Sequence, residues 1–137
     1  MAYSENLRRE AIENDHYRVV VCTGPHQQLV LMSLSPGEGL AEEVHHRNDQ
    51  IIQVVDGYGE LVVDGERYAL SPFTTSLIPA GARHEVINRP QTPLKLIMIY
   101  SPPLHDARLV QRTGPQCAPD NRGKMQCFHT GGCDCSR

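Results

Sequence analysis

The sequence predicts an all-β domain arranged as an antiparallel sandwich or barrel, and three observations indicate this fold class. Short aliphatic and β-branched runs recur from Tyr17 to Tyr100 at intervals of about ten residues, as in sheets of short strands. Turn sequences rich in Gly, Pro, Asn and Asp separate these runs. No helical pattern lies between them, whereas parallel strands would need crossover helices.

The composition is that of one ordinary domain, and it argues against several functional classes. The 137 residues carry 13 Lys and Arg against 16 Asp and Glu, which gives a net charge of −3. Because the apolar runs are far shorter than the roughly 20 residues that cross a bilayer, we expect no membrane association. The charge balance lacks the basic stripe that is typical of nucleic-acid binding. The first residues show no secretory signal pattern, so we expect a cytoplasmic protein.

Three segments divide the chain. Residues 1–16 form an N-terminal segment, in which Ser4 is a candidate N-cap for a short helix or turn. Residues 17–104 form the barrel, and residues 105–137 form a Cys-rich tail with few apolar side chains to bury. Strands are predicted at residues 18–23, 28–33, 51–55, 60–63, 67–70, 76–78, 85–88 and 94–100. Asp64-Gly65 predicts a type I′ hairpin, whose turn needs positive φ at both residues.

Two segments carry the candidate chemistry. The first, residues 37–57, places Glu43, His45 and Gln50 between two glycines, and the second, residues 79–88, surrounds His84. Their spacing resembles the two signature motifs of the cupin superfamily, G-x5-H-x-H-x(3,4)-E-x6-G and G-x5-P-x-G-x2-H-x3-N. Residues 17–105 are also similar to a group of small single-domain cupins described as mannose-6-phosphate isomerase-like. The resemblance implies a double-stranded β-helix, a jelly-roll barrel with an ion inside.

The resemblance implies that four side chains hold this ion: Glu43, His45, Gln50 and His84. Glu43 and Gln50 replace the first His and the Glu of the family pattern. Phe73 stands where the second motif opens with Gly, so we expect a different turn geometry there. A register that starts at Gly39 is disfavoured, because it would place the cation of Arg47 in a metal shell.

The residue types fit a divalent ion on chemical grounds as well. Glu43 and His45 are two apart, so on a strand their side chains would face the same way. A shell of two imidazoles, a carboxylate and a carboxamide oxygen suits Fe, Mn, Ni, Cu or Zn and leaves coordination positions open. Two His and one carboxylate is also the ligand set of non-haem iron oxygenases. The alternative is that His45 and Glu43 are exposed loop residues of a barrel that has lost its metal.

Two further residues are candidates for the pocket. Asp49 is either an acceptor for a ligand imidazole or a turn-forming residue. Asn88 follows His84 by four residues and therefore shares its strand face.

The tail contains a second candidate site. Four soft ligands for a second ion, Zn or Cu, are offered by Cys127, His129, Cys133 and Cys135. The alternative is a flexible tail whose thiols are reactive or pair as disulfides. Cys22 lies among valines in a predicted strand, and we expect it to be buried.

These patterns favour a metal-dependent protein that acts on a small polar molecule, with isomerase-like or dioxygenase-like chemistry at one divalent ion. A second hypothesis is non-catalytic binding or sensing of a sugar-like ligand. A third assigns metal or redox handling to the tail. The partners we expect are a small-molecule ligand and a second copy of the chain, and neither nucleic acid nor a membrane. The resemblance implies the homodimer, and the strand from Arg18 to Cys22 is the edge that a second copy would cover.

Overall fold

The structure is a computed structural model, and it describes residues 2–88, 91–119, 121–122 and 124–127. One helix and twelve strands lie in these ranges: α1 Leu7–Glu13, β1 Arg18–Thr23, β2 Gln28–Leu34, β3 Gly39–Val44, β4 Asp49–Asp56, β5 Gly59–Val63, β6 Glu66–Leu70, β7 Thr75–Ile78, β8 Arg83–Asn88, β9 Leu94–Ser101, β10 Val110–Gln111, β11 Cys117–Pro119 and β12 Met125–Cys127. The all-β prediction is confirmed, and the predicted strands appear with ends shifted by up to two residues.

Two antiparallel sheets form the body. The larger has the order β10-β1-β2-β9-β4-β7, and the smaller has the order β3-β8-β5-β6. Alternate residues of the strands point between the sheets and build one apolar core, which includes Val30, Leu61, Val86 and Leu96. This arrangement is the double-stranded β-helix that the resemblance implied.

The N-terminal helix packs on the outer face of the larger sheet. Ala11 is fully buried there against Leu31 and Ile97. The N-cap is Asn6, whose side chain accepts a hydrogen bond from the backbone N–H of Arg9 at 3.0 Å, so the predicted cap at Ser4 was wrong. In the described ranges, no helix has the length and apolar character that a bilayer span requires.

Two turns test the sequence predictions directly. Asp64 and Gly65 have φ values of 47° and 84°, which confirms the type I′ turn. Phe73 has a φ of 74°, so it keeps the left-handed backbone that a glycine would adopt there. The expectation that Phe73 changes the turn was therefore wrong. The chain accepts the less favourable conformation, and the Phe73 N–H still donates to the Val54 carbonyl at 2.9 Å.

The segment after β9 does not extend away from the barrel. β10 pairs with Arg18 and Val19, so the chain itself covers part of the edge that we expected a second copy to cover. Farther along, Cys117 and Cys127 form a disulfide that seats the β11-β12 ribbon against Gly39. A Cβ at Gly39 would collide with both sulfur atoms. Residues 105–119 are thus part of the folded body rather than of a loose tail.

Candidate metal centre

A β-bulge in β3 aims the candidate carboxylate into the barrel. Leu40 pairs with Val86, but Glu43 pairs with His84, so β3 has one extra residue between these two pairs. Without this residue, strand alternation would place Glu43 on the face opposite to Leu40. With it, Leu40 lies in the core and the Glu43 carboxylate points at the His84 strand.

Three ligand atoms meet inside the barrel. One atom each from Glu43, His45 and His84 lies within 4.8 Å of the others. The Nε2 of His45 is 3.1 Å from Oε2 of Glu43, outside hydrogen-bonding geometry, and the two imidazole rings are 5.1 Å apart between centroids. Both histidines are only 2% exposed. The Glu43 side chain is 9% exposed, so the alternative that His45 and Glu43 are exposed is wrong.

The imidazole nitrogens are arranged as donors to an ion. His84 Nδ1 is 3.2 Å from the Ala82 carbonyl, to which it donates in the neutral tautomer, so the lone pair lies on Nε2. His84 Nε2 and both ring nitrogens of His45 are buried without a hydrogen-bond partner among the described residues. Buried polar atoms of this kind normally have partners, and a metal ion would satisfy them.

The electrostatics favour the ligating form of two of the three groups. Burial lowers the pKa of His84, which outweighs the opposite effect of the Ala82 carbonyl and keeps the imidazole neutral. Burial acts to raise the pKa of Glu43, but His45 and Arg18 together outweigh it, so the pKa of this carboxyl is lowered. An anionic carboxylate and a neutral imidazole are the forms that bind a divalent ion.

Gln50 lies in the same end of the barrel. It is 1% exposed and pairs across the sheet with Tyr100, which in turn pairs with Gln28. These three polar side chains form a row across the larger sheet. The Gln50 amide nitrogen is 3.4 Å from the Tyr100 hydroxyl, and its Oε1 has no hydrogen-bond partner in the described part of the chain. Gln50 as a fourth ligand stays a prediction.

Two predicted pocket residues have structural roles instead. Asp49 is exposed and accepts a hydrogen bond from the Ala80 N–H at 2.9 Å, so it secures the turn before His84 rather than a ligand imidazole. Asn88 is buried at the opposite end of β8, where it pairs with Gly59. Its amide donates to the carbonyls of residues 34, 35 and 92. Asn88 lies far from His84 because four residues along a strand span about 13 Å.

Three residues that the sequence analysis did not select also surround the site. Arg18 is buried with its Nη2 4.0 Å from Oε1 of Glu43. The Tyr100 ring lies 5.9 Å from the His45 ring and 4.9 Å from the His105 ring. Strand alternation with Val20 would have indicated that Arg18 faces inward, and alternation with Met98 would have done the same for Tyr100. His105 follows the last long strand, and its position depends on hydrogen bonds to the distant Gln28, which no local pattern reveals.

The proposed tail site changes in one respect. Cys127 is in a disulfide with Cys117, and a disulfide sulfur is not a thiolate ligand. The other three candidates, His129, Cys133 and Cys135, lie outside the described residues. Cys22 is half-buried at a bulge of β1 rather than buried, since the register shifts between Val20 and Cys22.

Comparison with known proteins identifies the family. The sequence pattern of the cupin domain family matches residues 30–100, which is more than half of the chain. The chain belongs to the cupin family. It is 40% identical over 119 residues to an uncharacterized protein of Acanthamoeba polyphaga mimivirus, across 83% of this chain and 74% of that protein. It is 36% identical to the uncharacterized protein YrkC of Bacillus subtilis, across 79% of this chain and 61% of YrkC. This cupin thus spans less than two thirds of YrkC.

A solved crystal structure agrees with the architecture. The crystal structure of BH2720 from Bacillus halodurans superposes with a TM-score of 0.80 at 33% identity. The match covers 82% of this cupin and 90% of that chain, so most of each chain has a counterpart in the other.

Proposed function

We propose that this cupin holds one divalent transition-metal ion and uses it to act on a small polar molecule. The observation that carries the proposal is the convergence of Glu43, His45 and His84 within 4.8 Å, with imidazole nitrogens that are buried and have no hydrogen-bond partner among the described residues. Burying such groups without compensation is costly, and an ion would supply the missing interaction.

The donor set fits this group. Two imidazoles and one carboxylate bind Fe, Mn, Ni, Cu or Zn and leave positions for a ligand. When bound, the ion supplies Lewis-acid chemistry at these positions. The protein contributes the rest: the Ala82 carbonyl orients His84, and the bulge in β3 aims Glu43. The low exposure of the histidines keeps bulk water away.

Within this proposal, the ligand set favours an oxygenase-like reaction over an isomerase-like one. A face of two His and one carboxylate is typical of non-haem iron oxygenases. The protein loaded with Fe(II) should then consume dioxygen in the presence of its substrate. A reaction that proceeds at the same rate without dioxygen would favour the isomerase class.

A non-catalytic binding role is the second candidate, and Gln50 is the observation that favours it. Its amide carries no charge, so the shell has one formal negative charge rather than two. If Gln50 Oε1 faces the ion, Gln50→Glu should tighten metal binding at least tenfold, and Gln50→Leu should weaken it. If both variants bind the metal ion as tightly as the wild type does, Gln50 does not ligate the ion and is instead available to bind the small-molecule ligand.

Adjacent histidines provide a matched test of the metal site. His45 is buried in the site, whereas its neighbour His46 is exposed. Metal-free protein is dialysed against Zn²⁺, and bound metal per chain is measured by elemental analysis. We expect His46→Ala to retain about one ion per chain in the barrel and His45→Ala to lose it. Equal metal content in the two variants would refute the proposed site.

A further inference from the structure

A phenylalanine on the surface has a backbone conformation that its side chain disfavours. Phe73 lies in the turn between β6 and β7 with a φ of 74°, and the residue is 74% exposed. A bulky residue at positive φ is an outlier, whereas glycine adopts this conformation without strain. The ring buries too little of its surface to offset the strain, so its presence here needs another reason.

Two backbone hydrogen bonds hold the Phe73 turn against β4. The Phe73 N–H donates to the Val54 carbonyl at 2.9 Å, and the Val54 N–H donates to the Thr74 carbonyl at 2.9 Å. The backbone of Phe73 is therefore fixed relative to the larger sheet, and its side chain lines a cavity on the outer face of that sheet.

This cavity lies between the Phe73 turn, the outer face of the larger sheet and α1, and its volume is about 180 Å³. An apolar cavity of about 150 Å³ can hold benzene, so there is room for one aromatic ring. The buried members of its lining are aliphatic, and the exposed members are an arginine, a glutamine and a phenylalanine: Val54, Val55 and Ile97, then Arg8, Gln53 and Phe73.

Arg8 gives the cavity a positive charge that the described part of the chain does not neutralise. Its guanidinium forms no ion pair and no side-chain hydrogen bond among the described residues. None of the six lining residues is acidic, so the formal charge of this lining is positive. A guanidinium matches a carboxylate with two parallel hydrogen bonds, and the aliphatic side chains and the ring offer apolar contact beside it.

We propose that this cavity binds a small carboxylate with a single aromatic ring. The ring of the ligand packs against Phe73 and the aliphatic side chains, and its carboxylate pairs with Arg8. The site is separate from the metal centre, since it lies on the outer face of the larger sheet whereas the triad lies inside the barrel. The inference therefore does not depend on the proposed function.

The competing explanation is that Phe73 is an isolated surface residue and that the cavity beside it is an unused depression. Under both explanations, Phe73→Gly relieves the positive φ and stabilises the fold. The explanations differ in whether the same substitution also removes the binding of a ligand.

The test uses three probes: benzoate has the ring and the charge, benzamide has only the ring, and acetate has only the charge. Protein kept metal-free with EDTA is titrated with each probe at fixed ionic strength, and binding is followed in amide proton–nitrogen correlation NMR spectra. We expect benzoate to bind about tenfold more tightly than either benzamide or acetate. The largest shifts should occur at Val55, Phe73 and Ile97.

Each half of the ligand has its own variant and its own matched control. Arg8→Gln should reduce the preference for benzoate over benzamide about fivefold. Arg9→Gln removes the same charge from the next residue of α1, which does not line the cavity, and should leave the preference unchanged. Phe73→Gly should weaken benzoate binding about fivefold while it raises the urea midpoint, so the loss cannot come from unfolding. Tyr58→Ala removes another exposed ring outside the cavity and should bind benzoate as the wild type does.

Three results would overturn the inference. The first is the absence of saturable benzoate binding with shifts at the cavity. The second is benzoate binding that neither Arg8→Gln nor Phe73→Gly weakens. The third is equal affinity of the wild type for benzoate and benzamide, because the carboxylate would then have no role. Since every titration is done without metal, these results do not depend on whether the barrel holds an ion.

Discussion

Acidification should destabilise this cupin through His105, whose imidazole is buried at the metal-site end of the barrel. Gln28 holds the backbone of His105 with hydrogen bonds of 2.8 and 2.9 Å, and the residue is 9% exposed. The pKa of His105 is lowered from 6.5 to about 3, mainly by burial and secondly by the positive charge of Arg18. The folded state therefore binds the proton much more weakly than the unfolded state does.

The size of the effect follows from this difference in pKa. Between the unfolded pKa of 6.5 and the folded pKa of about 3, unfolding takes up a proton at this site, so stability falls as the pH falls. The stabilising contribution is fully present above pH 6.5 and decreases by about 1.4 kcal/mol per pH unit below it. From pH 7 to pH 4, His105 should account for a loss of about 3 kcal/mol in the free energy of unfolding.

Urea unfolding at pH 7 and pH 4 measures this loss. EDTA is present at both pH values, so metal binding does not contribute. We expect the wild type to lose about 3 kcal/mol more than His105→Gln, because glutamine does not titrate. Other groups, such as His84, titrate in both proteins and cancel in the difference. His26→Gln, at an exposed position, should behave as the wild type does. The same pH dependence in His105→Gln and the wild type would refute the buried neutral imidazole.

Three further predictions concern the fold around the site. Phe73→Gly should raise the free energy of unfolding by about 1 kcal/mol, since it relieves a positive φ at a side chain that is 74% exposed. Phe73→Ala should not raise it, and a gain with alanine would assign the effect to the ring. Asn88→Ala should cost about 1–3 kcal/mol in urea without changing metal content, whereas lost metal would return Asn88 to the site. Reduction of the Cys117–Cys127 disulfide should lower the free energy of unfolding by about 2–3 kcal/mol, and an unchanged urea midpoint would show that the ribbon does not support the barrel.

The strands of the barrel could be predicted because their signals are local. Hydrophobic alternation and turn residues located β1, β2 and β4 to β9, and Asp64-Gly65 defined its own turn. The motif spacing also brought Glu43, His45 and His84 together correctly. In each case, the residues that decide the geometry are close together in the sequence or are fixed by a family pattern.

The features that escaped prediction depend on contacts between distant parts of the chain. The bulge in β3 is visible only in its register with β8, and it alone explains why Leu40 and Glu43 both face inward. The residues after 104 have few apolar side chains, but β10 covers part of the edge of β1 and the disulfide fits over Gly39. Asn88 matched the motif and the strand face, yet the distance along β8 separates it from the site.

A crystal soaked with Zn²⁺ and measured at the zinc absorption edge tests the metal centre most directly. We predict an anomalous peak inside the barrel, at about 2.0–2.2 Å from a carboxylate oxygen of Glu43 and a ring nitrogen of each of His45 and His84. The assignment would be contradicted by well-ordered density for these three side chains with no anomalous peak among them, in a crystal where zinc fully occupies other sites.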